Sequence, residues 1–236
     1  MSLIYINPYS FAAAGIVTNG LVLHLDAGDP ASYPGSGTTW TDLSGNARNG
    51  TLTPSTGGPG FDSANGGSIT FDGTNDFVQC SGSLTLTAAT FIVWIRRNGN
   101  QSAYSGILLS RLTNVTGMSI GQNANNLLGY NWNDANIAYQ WESNLTLPNL
   151  AWSMCAISVS SSSATAYLCQ SSGITSATNT ISHGSTVMDD IEIARDNQSS
   201  ARYFTGNIAQ ALIYDRALTS TEITQNFDAL KGRFGL

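Results

Sequence analysis

Tyr203-Phe-Thr-Gly-Asn-Ile-Ala-Gln-Ala-Leu-Ile-Tyr-Asp-Arg-Ala-Leu-Thr-Ser-Thr-Glu-Ile223, continuing to Lys231, is the stretch whose reading decides the fold. Its first half is apolar on both period-2 faces, with Ile208, Leu212 and Tyr214 near one and Ala209, Ala211 and Ile213 on the other. A strand with so little polar alternation is covered on both sides, so it belongs inside a packed core. Thr219-x-x-Glu222 then matches a capping box, in which hydroxyl and carboxylate each satisfy a backbone N–H at a helix start. Ile223, Phe227 and Leu230 form one apolar stripe at helical spacing, which must press on something. Gly232 is placed to end that helix in a left-handed conformation.

Upstream, short apolar runs alternate with turn signals: Gly20–Leu25, Ser68–Phe71, Phe77–Cys80, Thr90–Ile95, Gly106–Arg111, Met118–Ile120, Leu127–Trp132, Ala151–Val159, Ala164–Cys169 and Ile191–Ile193. Asn49-Gly50 reads as a tight hairpin turn. Even spacing of short strands indicates an all-β sandwich or jelly roll. With no repeat, linker or composition break, one domain over residues 20–236 is expected, preceded by an arm over 1–19.

The totals agree. Only 10% of the 236 residues are charged, while 24 are glycine and 42% hydrophobic, a composition of strands and turns rather than helices or disorder. A net charge of −6 with 9 Lys plus Arg argues against nucleic acid, which requires a basic surface. No stretch approaches the roughly 18–20 apolar residues of a membrane span. The start lacks a basic region and is interrupted by Asn7-Pro8, so it does not read as a secretory signal.

Cys80, Cys155 and Cys169 are too few for a disulfide framework. Cys155 and Cys169 sit equally far from Ser162 and would face each other across a hairpin centred there. Free, half-buried thiols are still the expectation, because a disulfide also demands suitable geometry.

Four motifs carry a family resemblance: Leu21-Val-Leu-His-Leu-Asp-Ala-Gly28, Trp40-x-Asp-Leu-Ser-Gly-Asn46, Phe71-Asp-Gly-Thr-Asn-Asp-Phe77, and Gly206-x-Ile-x-x-x-x-Ile-Tyr-Asp-Arg-Ala-Leu-Thr-x-x-Glu-Ile223. Together they resemble the laminin-G-like branch of the concanavalin A-like lectin/glucanase superfamily. The resemblance implies a jelly-roll sandwich of two antiparallel sheets with one short C-terminal helix. The ending Asn226-Phe-Asp-Ala-Leu-Lys-Gly-Arg-Phe-Gly235 also resembles the tails of such domains in bacteriophage structural proteins.

Hydrolysis is not expected. Retaining glycosidases need two carboxylates about 5 Å apart, which the glucanase branch supplies as Glu-x-Asp-x-x-Glu on one strand. The three glutamates here, Glu142, Glu192 and Glu222, do not form that pattern. Asp190 and Glu192 share a strand face, which reads as solvent-facing, and Glu222 is used by the capping box. His24 and His183 stand alone, without a nucleophile partner. Calcium wants six to eight oxygens, and the loops Asp26/Asp29 and Asp72/Asn75/Asp76 lack a dense ligand spacing. No metal or other cofactor is therefore expected.

The leading expectation is a non-enzymatic phage virion structural protein, a capsid decoration (cement) protein or a tail accessory. Its partners would be the major capsid protein or other virion proteins, and a homo-oligomer, a trimer in that setting, would follow lattice symmetry. Leu3, Ile4, Tyr5, Ile6, Tyr9 and Phe11 would be the docking residues. The alternative is a lectin-like adhesin. In Tyr130, Asn131, Trp132, Asn133, Asp134, Tyr139 and Trp141, aromatic rings that stack on sugars are mixed with groups that bond hydroxyls.

Overall fold

A computed structural model describes residues 15–121, 123, 125–134, 141–199 and 202–236. Two large antiparallel sheets form a sandwich. Sheet A runs, in spatial order, β15 (Gly173–Asn179), β14 (Ala164–Gln170), β13 (Ser153–Val159), β8 (Ala89–Arg97), β18 (Thr205–Tyr214), β5 (Ser68–Asp72) and β4 (Gly60–Asp62). A further strand, β1 (Leu21–Asp26), pairs with the far half of β18. Sheet B runs β12 (Trp141–Thr146), β11 (Leu127–Asn131), β10 (Thr116–Ile120), β9 (Gly106–Ser110), β17 (Ile191–Ile193), β6 (Phe77–Cys80), β3 (Gly50–Thr53) and β2 (Thr39–Trp40). A small ribbon joins β7 (Leu84–Leu86) to β16 (Thr186–Met188).

The central strands are apolar on both faces because both faces are covered. On β8, Phe91, Val93 and Ile95 enter the core between the sheets, whereas Ile92 and Trp94 point the other way, under helix α1 (Ser220–Leu230). That helix forms as its sequence predicts. The Thr219 hydroxyl accepts from the Glu222 N–H, and the Glu222 carboxylate accepts from the Thr219 N–H, closing the capping box. Ile223 and Phe227 are buried and Leu230 half-buried against sheet A. Phe227 stacks on Trp94 at 5.7 Å between ring centroids, and Phe234 stacks on the same indole at 4.3 Å. Residues 15–18 pack there too: the Val17 N–H donates to Asn226 Oδ1, and the Tyr214 hydroxyl donates to the Val17 carbonyl.

Four local expectations are corrected. A bulge between Ile208 and Gln210 switches the faces of β18, so Ile208 shares the inter-sheet core with Ala211 and Ile213, while Ala209 joins Leu212 and Tyr214 under the helix. The left-handed residue after the helix is Gly235, at φ 71° following a 3-10 turn over Lys231–Phe234, and not Gly232. Asn49-Gly50 is not a hairpin turn. Gly50 opens β3, where a methyl group would meet Val78 Cγ1 at 2.5 Å, and Asn49 Oδ1 accepts from the Asp42 N–H.

The fourth concerns the cysteines. The β13–β14 hairpin centres between Ser161 and Ser162, with the Ser160 N–H donating to the Ser163 carbonyl, so Cys155 lies opposite Leu168 and Cys169 opposite Met154. One residue of register exchanges the two faces of a strand. Cys155 therefore sits between the sheets and Cys169 under the helix, and all three cysteines are free and fully buried rather than half-buried.

Candidate functional site

Register across sheet B sorts its residues into two rows. Leu52, Val78, Ile193, Leu108, Met118, Tyr130 and Trp141 lie opposite one another and face sheet A. The adjacent row, Thr51, Gln79, Glu192, Leu109, Gly117 and Asn131, faces away from it. This outer face carries the polar side chains, so any site on the sheet belongs there.

The sequence Gly117-Met-Ser-Ile-Gly121 alternates small and apolar residues. Met118 and Ile120 go into the core, leaving Gly117, Ser119 and Gly121, with Gly129 on β11, as a floor of small side chains. The floor is buried, and at its Gly121 end Asn123 is exposed and Glu142 half-buried. Glu142 lies across from Gly129, and its carboxylate occupies the space that a methyl at Gly121 would need. Asn123 holds that carboxylate, donating its backbone N–H to Oε1 at 3.1 Å and its amide to both oxygens at 3.2 and 3.1 Å. Asp134 Oδ1 accepts from the Val115 N–H, and Asn133 donates its backbone N–H to Thr116 Oγ1.

The aromatic members of the expected sugar site turn inward instead. Tyr130 is 0% and Trp132 1% exposed, so neither offers a ring face to a ligand. Trp141 is half-buried, edge-on to Tyr130. The reason is the pleat: residues 130 and 141 share the inner row, and Trp132 Nε1 donates to the Gly184 carbonyl at 2.7 Å. His183 completes this cluster. Its Nδ1 contacts the Ser160 carbonyl at 2.9 Å and must donate there, so Nε2 accepts from the Tyr130 hydroxyl at 2.8 Å. Asn179 donates in turn to the Tyr130 hydroxyl. Burial pulls the His183 imidazole below its ordinary value, opposed by the Ser160 bond, and pushes the Tyr130 phenol up to about 12. Asn131 lies on the outer row but is 4% exposed, Asn133 and Asp134 follow β11 at the Val115–Thr116 end of β10, with the Asn133 amide near Gly184, and Tyr139 lies outside the described residues.

Asp190 and Glu192 are also placed differently from expectation, since Asp190 precedes β17 rather than sharing a strand face with Glu192. Glu192 is 2% exposed rather than solvent-facing, because Arg195 folds over it as an ion pair and lies 3.6 Å above the Phe77 ring. Burial raises the Glu192 carboxyl above its usual value, with Arg195 opposing. Asp190 accepts from Gln79 Nε2 at 3.0 Å and Asn197 Nδ2 at 2.7 Å. Close by, Asp196 is 1% exposed and ion-paired with both Arg111 and Arg202.

The motif acids at the chain's start build structure. Asp42 collects the N–H groups of His24, Ser44 and Arg48 and the Ser44 hydroxyl, pinning the Trp40–Asn46 loop to β1. Asp72 accepts from the N–H groups of Thr74 and Asn75, and Asp26 pairs with Arg233. Among the described residues no three His, Cys, Asp or Glu side chains converge as a metal site would require. Leu3, Ile4, Tyr5, Ile6, Tyr9 and Phe11 lie outside the described residues.

Sequence reasoning missed Glu142, Asn123 and the glycine floor. The readable signal was the small–apolar alternation of residues 117–121.

A family model described as the concanavalin A-like lectin/glucanases superfamily, laminin-G type, matches residues 72–224, more than half of the chain. A sequence search of curated proteins found no match. Among solved structures, domain 4 of AbnA, a GH43 extracellular arabinanase from Geobacillus stearothermophilus in complex with arabinotriose, superposes with TM-score 0.65 at 16% identity, covering 89% of this chain and 98% of that one. Trypanosoma rangeli sialidase in complex with sialic acid gives TM-score 0.59 at 14% identity, over 91% of this chain but only 33% of the sialidase. The binding domain of Paraclostridial Mosquitocidal Protein 1 gives 0.63 at 15%, covering 89% and 52%. At such identities the likeness is one of fold.

Proposed function

Because the chain belongs to the concanavalin A-like lectin/glucanase superfamily, we propose that it is a non-catalytic carbohydrate-binding domain, reading a glycan at the β10–β12 end of the outer face of sheet B. The observation that carries this reading is Glu142, aimed by three hydrogen bonds from Asn123 at the margin of a glycine-lined sheet. Fixed carboxylate and amide groups satisfy paired sugar hydroxyls. The arabinanase domain of similar fold was solved with arabinotriose. Glu192 is bound by Arg195 and Glu222 by Arg216 and its own cap, so both carboxylates are engaged in structural contacts. Calorimetric titration with neutral and acidic oligosaccharides tests the reading. Saturable binding weakened by Glu142→Ala and Asn123→Ala supports it, and the absence of binding to every sugar discards it.

A second reading, compatible with the first, is that the domain rides on a phage virion as a capsid decoration protein or tail accessory. It is favoured by the apolar spacing of Leu3, Ile4, Tyr5, Ile6, Tyr9 and Phe11 in the sequence. The phage-like ending adds less, because Phe227 and Phe234 are already used to cover Trp94. The major capsid protein or another virion protein would take the arm. Capsid occupancy should fall when residues 1–14 are removed, and unchanged occupancy would sink this reading.

A further inference from the structure

Strand edges expose unpaired N–H and C=O groups, and proteins blunt them by shortness, charge, bulges or cover. Most free edges of this sandwich are treated so. β2 has two residues, and β4 has three and ends in Asp62. β1 is covered: the Leu43 N–H donates to the His24 carbonyl, the Ser44 hydroxyl to the Val22 carbonyl, and Asp42 takes the His24 N–H. β12 carries Glu142, a register shift against β11, and Asn144 at φ 60°.

β15 has no such device in its own sequence, although β12, the edge strand of sheet B, packs close to it without pairing. It is seven residues long, Gly-Ile-Thr-Ser-Ala-Thr-Asn, without charge or proline, and pairs with β14 in unbroken register. Gly173–Ser176 and Thr178 are exposed, and Ile174 is among the few large apolar residues facing solvent. Among the described residues no strand pairs with its far side.

We propose that β15 is an interface at which a second copy of this chain adds antiparallel, so that sheet A continues through both molecules. The argument for a second copy is charge and self-complementarity. The chain carries a net charge of −6, so two copies repel over most of their surfaces, yet this edge is neutral. A two-fold axis at Ser176 places Ile174 opposite Thr178 of the partner subunit, Thr175 opposite Ala177 of the partner subunit, and Gly173 opposite Asn179 of the partner subunit. Each pair is small or β-branched, and no like charges meet. Such a contact is isologous and closes at two copies, unlike the trimer expected for a virion setting. A single seven-residue edge buries less than about 1,000 Å², so the dimer is concentration-dependent.

Sedimentation of the full chain over roughly 1–500 µM, the range where interfaces of this size dissociate, should show monomer–dimer exchange. Ser176→Lys, which sets two ammonium groups opposite each other on an exposed strand, should weaken the dimer at least about tenfold without changing the far-UV spectrum or melting point. Ser176→Cys should form a disulfide-linked dimer on mild oxidation, while Thr221→Cys on the exposed side of α1 should not; the native cysteines are buried and contribute no background. Three results would overturn the proposal: a monomer throughout the range, a dimer that Ser176→Lys leaves intact, or a monomer with slow amide exchange in β15, which would mean that another segment of the chain covers the edge.

Discussion

Each sheet has one face on the shared core and one turned outward, and the chain treats the two outer faces in opposite ways. Outside sheet A, Ile92, Trp94, Met154, Ala156 and Leu212 are sealed by Ile223, Phe227 and Phe234 into a second apolar cluster. Outside sheet B, glycine, serine, amide and acid side chains are fixed by hydrogen bonds and ion pairs. The first face is held by burial, which is strong and unspecific in direction. The second is held by directional polar contacts, which fix side-chain positions and add little net stability. Substitutions on the two faces should therefore separate stability from binding.

Phe227→Ala should have the largest effect. It removes a ring stacked on Trp94 and costs about 3–5 kcal/mol, read as a lower urea midpoint, while glycan affinity of the remaining folded protein stays unchanged. Glu142→Ala should do the reverse. Loss of one charged hydrogen bond to a sugar lowers affinity about tenfold, roughly 1.4 kcal/mol, and leaves stability within about 1 kcal/mol. If Glu142→Ala unfolds the domain instead, the division between the faces is broken.

Smaller effects sharpen it. Thr219→Ala removes the cap of α1 and should cost about 1 kcal/mol. Its partner Glu222 is held at about 2 from a usual 4.5, first by the Arg216 guanidinium and then by the Thr219 N–H. A lowered carboxyl value contributes stability that is present above pH 4.5 and lost as pH falls through about 2. Glu222→Gln should therefore flatten the acid limb of the stability profile. The smallest effect is at His183, which is neutral in the fold with its value lowered by burial. Above pH 6.5 both folded and unfolded chains carry it neutral; below that the unfolded chain takes up the proton first, so stability falls. His24 is lowered for the same reason despite Asp26, Asp42 and Asp29. His183→Gln should reduce the slope below pH 6.5 without abolishing it.

The candidate site was only partly legible. Of the segment around residues 130–141, Asn131 lies on the outer row of sheet B, where it is buried. The segment's aromatics were misread because composition does not say which side of a strand a ring occupies. In β11 the row shared by Leu128 and Tyr130 meets the core, and that parity is fixed only by pairing with Met118 and Ile120. Glu192 looked solvent-facing because its neighbours Ile191 and Ile193 point inward, which is correct, but Arg195 closes over it from the following turn.

By itself the sequence determined the all-β class, the capped helix at the end of the chain and the strand that closes the core. Those rest on local periodicity and on a box of two side chains within three residues of each other. Only the tertiary structure decided that the β13–β14 turn separates Cys155 from Cys169, that a bulge switches the faces of β18, and that β15 ends sheet A. A strand has a two-residue period, so one residue of register or one inserted residue reverses every face, and that choice is made by whatever the strand packs against.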